Sequence, residues 1–261
     1  RIVIALTAIL PILRHHGGLC RPNMVELTLD FRPVLALAMP AILTQLATPV
    51  GQAYVTRAMA AYGEEAVAGM AIVARLTPVA FGVIFALSGA VGPIIGQNFG
   101  AKNQTRVRIA YRDAMIFTAL VVVFVSLILF ALRGPIATLF QAEGVTRDLI
   151  FLFCGPLALG FFFNGMIFVS NATFNNLGHP FYSTVVNWGR HTIGTILPVL
   201  IFANMFQAAG VLIGQTVGGL VFGLFSAWLA LRVMVQTSQD TPTAEPFQRE
   251  TRLLQMFHHR R

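Results

Sequence analysis

Long apolar runs broken by short polar stretches set the character of this chain. Between residues 149 and 231 the only formal charge is Arg190. A water-soluble domain needs a hydrated outer face, and this stretch has almost nothing to supply one. Gly178-His179-Pro180 and Ala203-Asn204-Met205 cut it into pieces of about the 20 residues that cross ~30 Å of hydrocarbon as a helix. Read the same way upstream, the chain is expected to make six membrane-spanning helices, over 33–57, 66–99, 114–132, 149–173, 181–202 and 206–231. Inside lipid only helices and closed barrels satisfy every backbone polar group. Barrel strands alternate over ~10 residues, whereas these runs are continuous. The predicted fold class is therefore all-α: a polytopic membrane protein built on a six-helix transmembrane bundle.

Arg1 opens directly onto an apolar run over 2–13, too short for a span. It reads as the end of a helix whose start lies upstream. A signal peptide would need small residues where Arg14-His15-His16 stand. The expected organisation is the end of a transmembrane helix over 1–13, a cytoplasmic connector over 14–32, the bundle over 33–234 and a polar cytoplasmic tail over 235–261.

Composition agrees with this reading. Hydrophobic residues make up 56% and charged residues 11%, against ~25% charged in soluble proteins. The formal net charge of +8 does not indicate a nucleic-acid partner, because the basic residues fall where the positive-inside rule places them. Lys102, Arg106, Arg108 and Arg112 follow the second span, Arg14, Arg21 and Arg32 precede the first, and Arg249, Arg252, Arg260 and Arg261 lie in the tail. With six alternating spans all three groups share one side, which is expected to be the cytoplasm. The expected location is a bacterial inner membrane, multi-pass, with the C-terminus cytoplasmic and the lipid bilayer as solvent. Cys20 and Cys154 form neither a disulfide framework nor a zinc set.

The acids between 33 and 234 are Glu64, Glu65, Asp113, Glu143 and Asp148, all near predicted span ends. An intramembrane carboxylate is the usual proton- or sodium-coupling group, and none is expected here. Metalloprotease, nucleophile-elbow and phosphate-loop motifs are absent, so no catalytic or metal-binding residue is predicted. Neutral polar residues at helical spacing remain. Gln45, Thr48 and Gln52 share one face of the first span, and Asn164, Phe168, Asn171 and Asn175 share one face of the fourth. Such stripes suit either a wet cavity for flat organic molecules or interhelical hydrogen bonds of ~0.6 kcal/mol each. Arg75, Arg190 and His191 read as interfacial anchors. Pro49 and Pro78 are candidate hinges. Gly96, Gly210 and Gly214 belong to small-residue ridges that bring helix backbones close in lipid.

Three motifs in order carry a family resemblance. Leu37-Ala38-Met39-Pro40-Ala41-Ile42-Leu43-Thr44-Gln45 resembles the first helix of a repeat unit in the multidrug and toxic compound extrusion (MATE) family. Val91-Gly92-Pro93-Ile94-Ile95-Gly96-Gln97-Asn98-Phe99-Gly100-Ala101-Lys102-Asn103 is similar to the signature ending that unit's second helix. Asn171-Ala172-Thr173-Phe174-Asn175-Asn176-Leu177-Gly178-His179-Pro180 resembles its fourth-helix ending. Family members have twelve helices in two six-helix lobes around a central cavity and exchange sodium or protons for cationic drugs. The resemblance implies that this chain is one lobe, the C-terminal one. It would then be part of a secondary antiporter exporting small organic cations in exchange for H+ or Na+. The missing N-terminal lobe would be its partner, and no cofactor is implied. The cavity candidates would be Gln45, Thr48, Gln52, Asn164, Phe168 and Asn171. Some members carry acids on helices seven and ten; this chain has Gln45 and Gln52 on the first and Asn164 near the matching place on the other. The coupling-ion site is thus expected in the missing half. A lipid-linked oligosaccharide flippase of related architecture is the alternative, but it would need cationic walls for pyrophosphate, and only Arg75 and Arg190 are on offer. An intramembrane enzyme would lack its catalytic pair, and a scaffold would have no need of polar stripes.

Overall fold

The computed structural model describes residues 24–239. The expectations for 1–13, for the first part of 14–32 and for the tail past residue 239 lie outside them. The chain divides between Ile42 and Leu43 into two compact units. The described residues of the first form the opening of α1 (Met24–Ala60). The second unit holds the rest of α1 and α2 (Glu64–Ala80), α3 (Gly82–Gly100), α4 (Gln104–Leu139), α5 (Gly144–Leu152), α6 (Ala158–Asn176), α7 (Pro180–His191) and α8 (Ile193–Gln239). Every regular element among the described residues is helical. Among the described residues, four stretches are long and apolar enough to cross a membrane: Gly82–Gly100, Gln104–Leu139, Gly144–Asn176 and Pro180–Thr237.

The helices differ from the six predicted runs in ways the residues explain. α1 already covers residues 24–32, inside the stretch read as connector. The second span is two helices, α2 and α3, meeting at Phe81 (φ −106°, ψ 19°). Pro78 lacks the N–H that Ala74 O would accept, and its ring crowds that carbonyl. A π-helical turn, Phe153–Leu157, joins α5 to α6 around Gly155 (φ −97°, ψ −117°) and Pro156. The fifth span breaks at Thr192 (φ −102°, ψ −92°), separating α7 from α8. α8 itself reverses at Gln207 (φ 54°, ψ −131°), so 193–206 completes the fifth span and 208–239 forms the sixth. α4 starts at residue 104 rather than 114, because Val107, Tyr111, Ala114, Thr118 and Val122 continue one buried stripe into its first turns.

Opposite α4's buried stripe, Leu120, Phe124 and Leu127 are each 65% exposed. That is unsustainable in water over a whole helix and ordinary against lipid tails. Hydrogen bonds tie together the turns at one end. Tyr62 Oη donates to Ala203 O (3.0 Å) and Thr146 Oγ1 to Glu65 O (2.7 Å). Lys102, Arg106, Arg108 and Arg112 stand at the opposite end, beside the turns at 101–103 and 177–179. The interior holds two apolar clusters. One, around Phe81, Ile84, Leu149 and Phe153, lies toward the Tyr62–Ala203 end. The other, around Ile95, Val107, Phe174 and Met234, lies toward the basic end. Thr118, Gly165 and Asn164 occupy the level between them.

Candidate functional site

The first-span stripe meets the fifth span at mid-height. Thr48 Oγ1 is 3.4 Å from His191 Nε2, and Thr44 Oγ1 is 2.9 Å from Thr184 Oγ1. Trp188 Nε1 donates to Leu43 O (2.8 Å). Gly51 lies against His191, where a Cβ would stand 2.8 Å from the ring's Cγ. His191 is buried, while Gln45 and Thr48 are exposed and Gln52 half-buried.

On the fourth span the stripe divides among neighbours. Asn164 lies beside Gly219 of the sixth span, and its Oδ1 is out of solvent with no hydrogen-bond partner. Phe168 joins Phe85 (5.0 Å between centroids) and Phe161 (6.4 Å) in an aromatic cluster against the second span. Asn171 Oδ1 is likewise buried and unpartnered, and its backbone carbonyl accepts from Ser183 Oγ (3.4 Å). Asn175 Oδ1 accepts from the same hydroxyl (3.1 Å). Each of the three candidates on this helix is half-buried.

The packing and hinge candidates have clear positions. Gly214 backs onto Val199, where a Cβ would be 2.6 Å from its Cα, and Gly210 onto the Phe202 carbonyl. Gly218 meets the Gly194 carbonyl in the same seam. Gly96 faces Asn176, with 2.8 Å between a Cβ and Oδ1. Pro78 stands just before the Phe81 break, and Pro49 is exposed on α1.

Arg190 differs from the anchor expected of it. It occupies the last turn of α7, which ends in mid-span, on the helix face that carries Ser183 toward the fourth span. Among the described residues an ion pair forms between Arg112 and Asp113 (3.0 Å), on the surface, and no acid pairs with Arg190. The continuous apolar run concealed this placement, since nothing in it marks a mid-span break. A shallow cavity of about 300 Å³ lies elsewhere, at the start of α4, lined by Gln104, Thr105, Arg108, Ile109 and Arg112. It touches none of the candidate residues. No set of three His, Cys, Asp or Glu able to hold a metal occurs among the described residues.

This geometry defines a class: a multi-pass helical membrane protein with kinked spans, glycine seams and polar residues at mid-height. The MatE family signature matches residues 40–200. The "Uncharacterized 21 kDa protein in iaaL 5'region" of Pseudomonas savastanoi is 34% identical over 241 residues, covering 88% of this chain and 75% of that protein. The FAD transporter of Shewanella oneidensis is 26% identical over 213 residues, covering 78% of this chain and 46% of that one. The Vibrio cholerae MATE transporter VcmN in its bent form superposes with a TM-score of 0.79 at 21% identity, covering 90% of this chain and 54% of that one. The chain belongs to the MatE family, whose members are membrane transporters rather than enzymes. It spans about half the length of the FAD transporter and of VcmN.

Proposed function

We propose that this chain is the C-terminal lobe of a two-lobe secondary antiporter that moves bulky organic solutes, small organic cations among them, in exchange for H+ or Na+. The other lobe supplies the facing wall of the cavity and the coupling-ion site. The transporter resides in a bacterial inner membrane with its basic loops and C-terminus in the cytoplasm. In this reading residues 1–13 end the preceding lobe, 14–32 connect the lobes, 33–234 form the bundle and 235–261 the tail. Gln45, Thr48, Gln52, Asn164, Phe168 and Asn171 contribute to the solute path.

The observation that carries the proposal is the run of broken spans bearing polar residues at mid-height. Discontinuous helices around a midplane site are how transporters of several folds hold solutes. Exchange then needs only two global states with different affinities for ion and solute, and no bond is made or broken. The flippase alternative is not favoured: it would need cationic walls for pyrophosphate, and the interior of the described spans offers Arg75 and Arg190.

Cells expressing the intact protein are expected to accumulate less ethidium or another organic solute than control cells, and to lose that difference when the ion gradient is collapsed. Equal accumulation for every probe counts against the reading. Gln52→Cys and Asn164→Cys should react with a water-soluble thiol reagent, and inertness of both removes them from the solute path.

A further inference from the structure

Two arginines share one aromatic ring at the Tyr62–Ala203 end. The Arg133 guanidinium lies 4.2 Å from the centroid of Phe130 on its own helix, α4, and 5.1 Å from that of Phe151 on α5. Arg147, one turn before Phe151, brings its guanidinium to 5.2 Å from the same ring. A cation over an aromatic face is attracted by the ring's quadrupole, so one arginine on a ring explains itself. Arg232 over Trp228 (4.4 Å) on α8 is such a pair. Two arginines on Phe151 also bring like charges together, and the ring does not offset that repulsion. Among the described residues no acid pairs with either one. Glu143 and Asp148, the nearest acids along the chain, are exposed and form no ion pair with them. Each guanidinium carries five N–H donors, and none of these meets an acceptor among the described residues.

The depth of the pair in the membrane follows from α4. Between Asp113 and Arg133 that helix carries no charge. About twenty residues of helix rise about 30 Å, the thickness of the hydrocarbon layer. With Asp113 at one boundary, Arg133 stands at the other, where lipid phosphates begin. Arg147 lies in the opening turn of α5, at the same end. On the hydrocarbon side of Arg133, Phe130 is exposed and continues the outward row of Leu120, Phe124 and Leu127. Acyl chains fit such a row. The positive-inside rule accounts for the basic residues at the opposite end and calls for none here.

We propose that Arg133 and Arg147 form a headgroup site for an anionic phospholipid at the membrane boundary of the Tyr62–Ala203 end. Guanidinium groups take phosphate through paired N–H donors, and the lipid's negative charge offsets the repulsion between the two arginines. Its acyl chain lies along Phe130, Leu127 and Phe124. A free phosphate ion would meet the guanidinium groups but leave that row unused. The site depends on the membrane-spanning fold and not on what the protein carries.

The test is lipid binding to the intact protein, purified and delipidated in detergent, with bound lipid counted by native mass spectrometry. The probes are phosphatidylglycerol, which is anionic; phosphatidylcholine, which has the phosphate but no net charge; and inorganic phosphate, which has no acyl chains. Phosphatidylglycerol is expected to bind at least about fivefold tighter than phosphatidylcholine, and inorganic phosphate at equal concentration to leave it bound. Arg133→Gln and Arg147→Gln should each weaken phosphatidylglycerol about fivefold, the effect of one basic residue at a lipid surface. Arg133→Lys keeps the charge but loses the planar fork, and should fall between. Arg232→Gln removes the same charge from a lone cation–ring pair at the other end and should leave the preference in place. If Arg133→Gln does not fold, the exposed Arg147 still carries the test, since Arg147→Glu should abolish the preference. The proposal is overturned if the unaltered protein does not distinguish the two lipids, if neither arginine variant changes their ratio, if Arg232→Gln lowers it as much, or if inorganic phosphate displaces the lipid. None of these outcomes bears on the transporter reading, which the accumulation assay tests separately.

Discussion

The fifth span makes two seams, and they are built on opposite principles. Toward the sixth span, Gly210, Gly214 and Gly218 press against Phe202, Val199 and Gly194, backbone against backbone. Toward the first span, the contact is made by side chains: Thr44 with Thr184, Thr48 with His191, and Trp188 with Leu43 O. Lipid tails are as apolar as leucine, so neither seam gains from a hydrophobic effect between helices. The glycine seam holds by close packing, which has no slack. The polar seam holds by a few bonds of ~0.6 kcal/mol each, and its side chains have other rotamers. The first should move as one rigid hairpin, and the second is where the lobe can yield.

The largest effect is expected in the glycine seam. Gly218→Leu places a side chain onto the Gly194 carbonyl, which no rotamer change relieves. It should cost about 3 kcal/mol or more, seen as loss of folded protein or a steep drop in thermal midpoint in detergent. No second substitution in the fifth span should restore it, since the obstacle is main chain. Recovery by a side-chain truncation would erase the contrast between the seams.

Next comes the same experiment on the polar seam. Gly51→Ala pushes a methyl group into the His191 ring, at a cost of about 1–3 kcal/mol. Here the obstacle is a side chain, so His191→Ala in the same protein should recover much of the loss. A double variant no more stable than Gly51→Ala alone would show that the first-span backbone is as confined as the glycine seam.

The sequence allows these seams to be anticipated unequally. Gly210, Gly214 and Gly218 recur every fourth residue, so the close-packed ridge is readable from spacing alone. The helical runs and the turn at Gly178 (φ 84°) are readable for the same local reasons. The partners of the polar residues are not. Thr48 and His191 are 143 residues apart, and a helix apolar on every side gives no periodic signal of which face meets which neighbour. Phe168 and Asn164 share a face in sequence, yet one meets the second span and the other the sixth. The break at Thr192 was hidden for a different reason. Neither proline nor glycine stands there, and without it Arg190 reads as an anchor rather than as an interior cation.

A smaller effect measures the polar seam directly. A double-mutant cycle with Thr48→Val and His191→Phe keeps volume while removing the bond. Its coupling energy should be about 0.6 kcal/mol, in line with a contact of 3.4 Å. A coupling above about 2 kcal/mol would make this contact stronger than the interhelical bonds usual in lipid and move the yielding point elsewhere.

The smallest expected change lies at the tip of the rigid hairpin. Gln207 adopts φ 54°, ψ −131° where the fifth span turns into the sixth, a conformation that side chains adopt only under strain of about 1–3 kcal/mol. Glycine removes that strain but loses about 0.5–1 kcal/mol more chain entropy on folding. The balance for Gln207→Gly is a gain of about 0.5 kcal/mol, a rise of a degree or two in thermal midpoint. The sign matters more than the size. A gain shows that the reversal is dictated from below by Gly210, Gly214 and Gly218 locking onto the fifth span, with Gln207 forced to follow. A loss would mean that the glutamine side chain itself holds the turn, and the seam would then be a consequence of the loop rather than its cause.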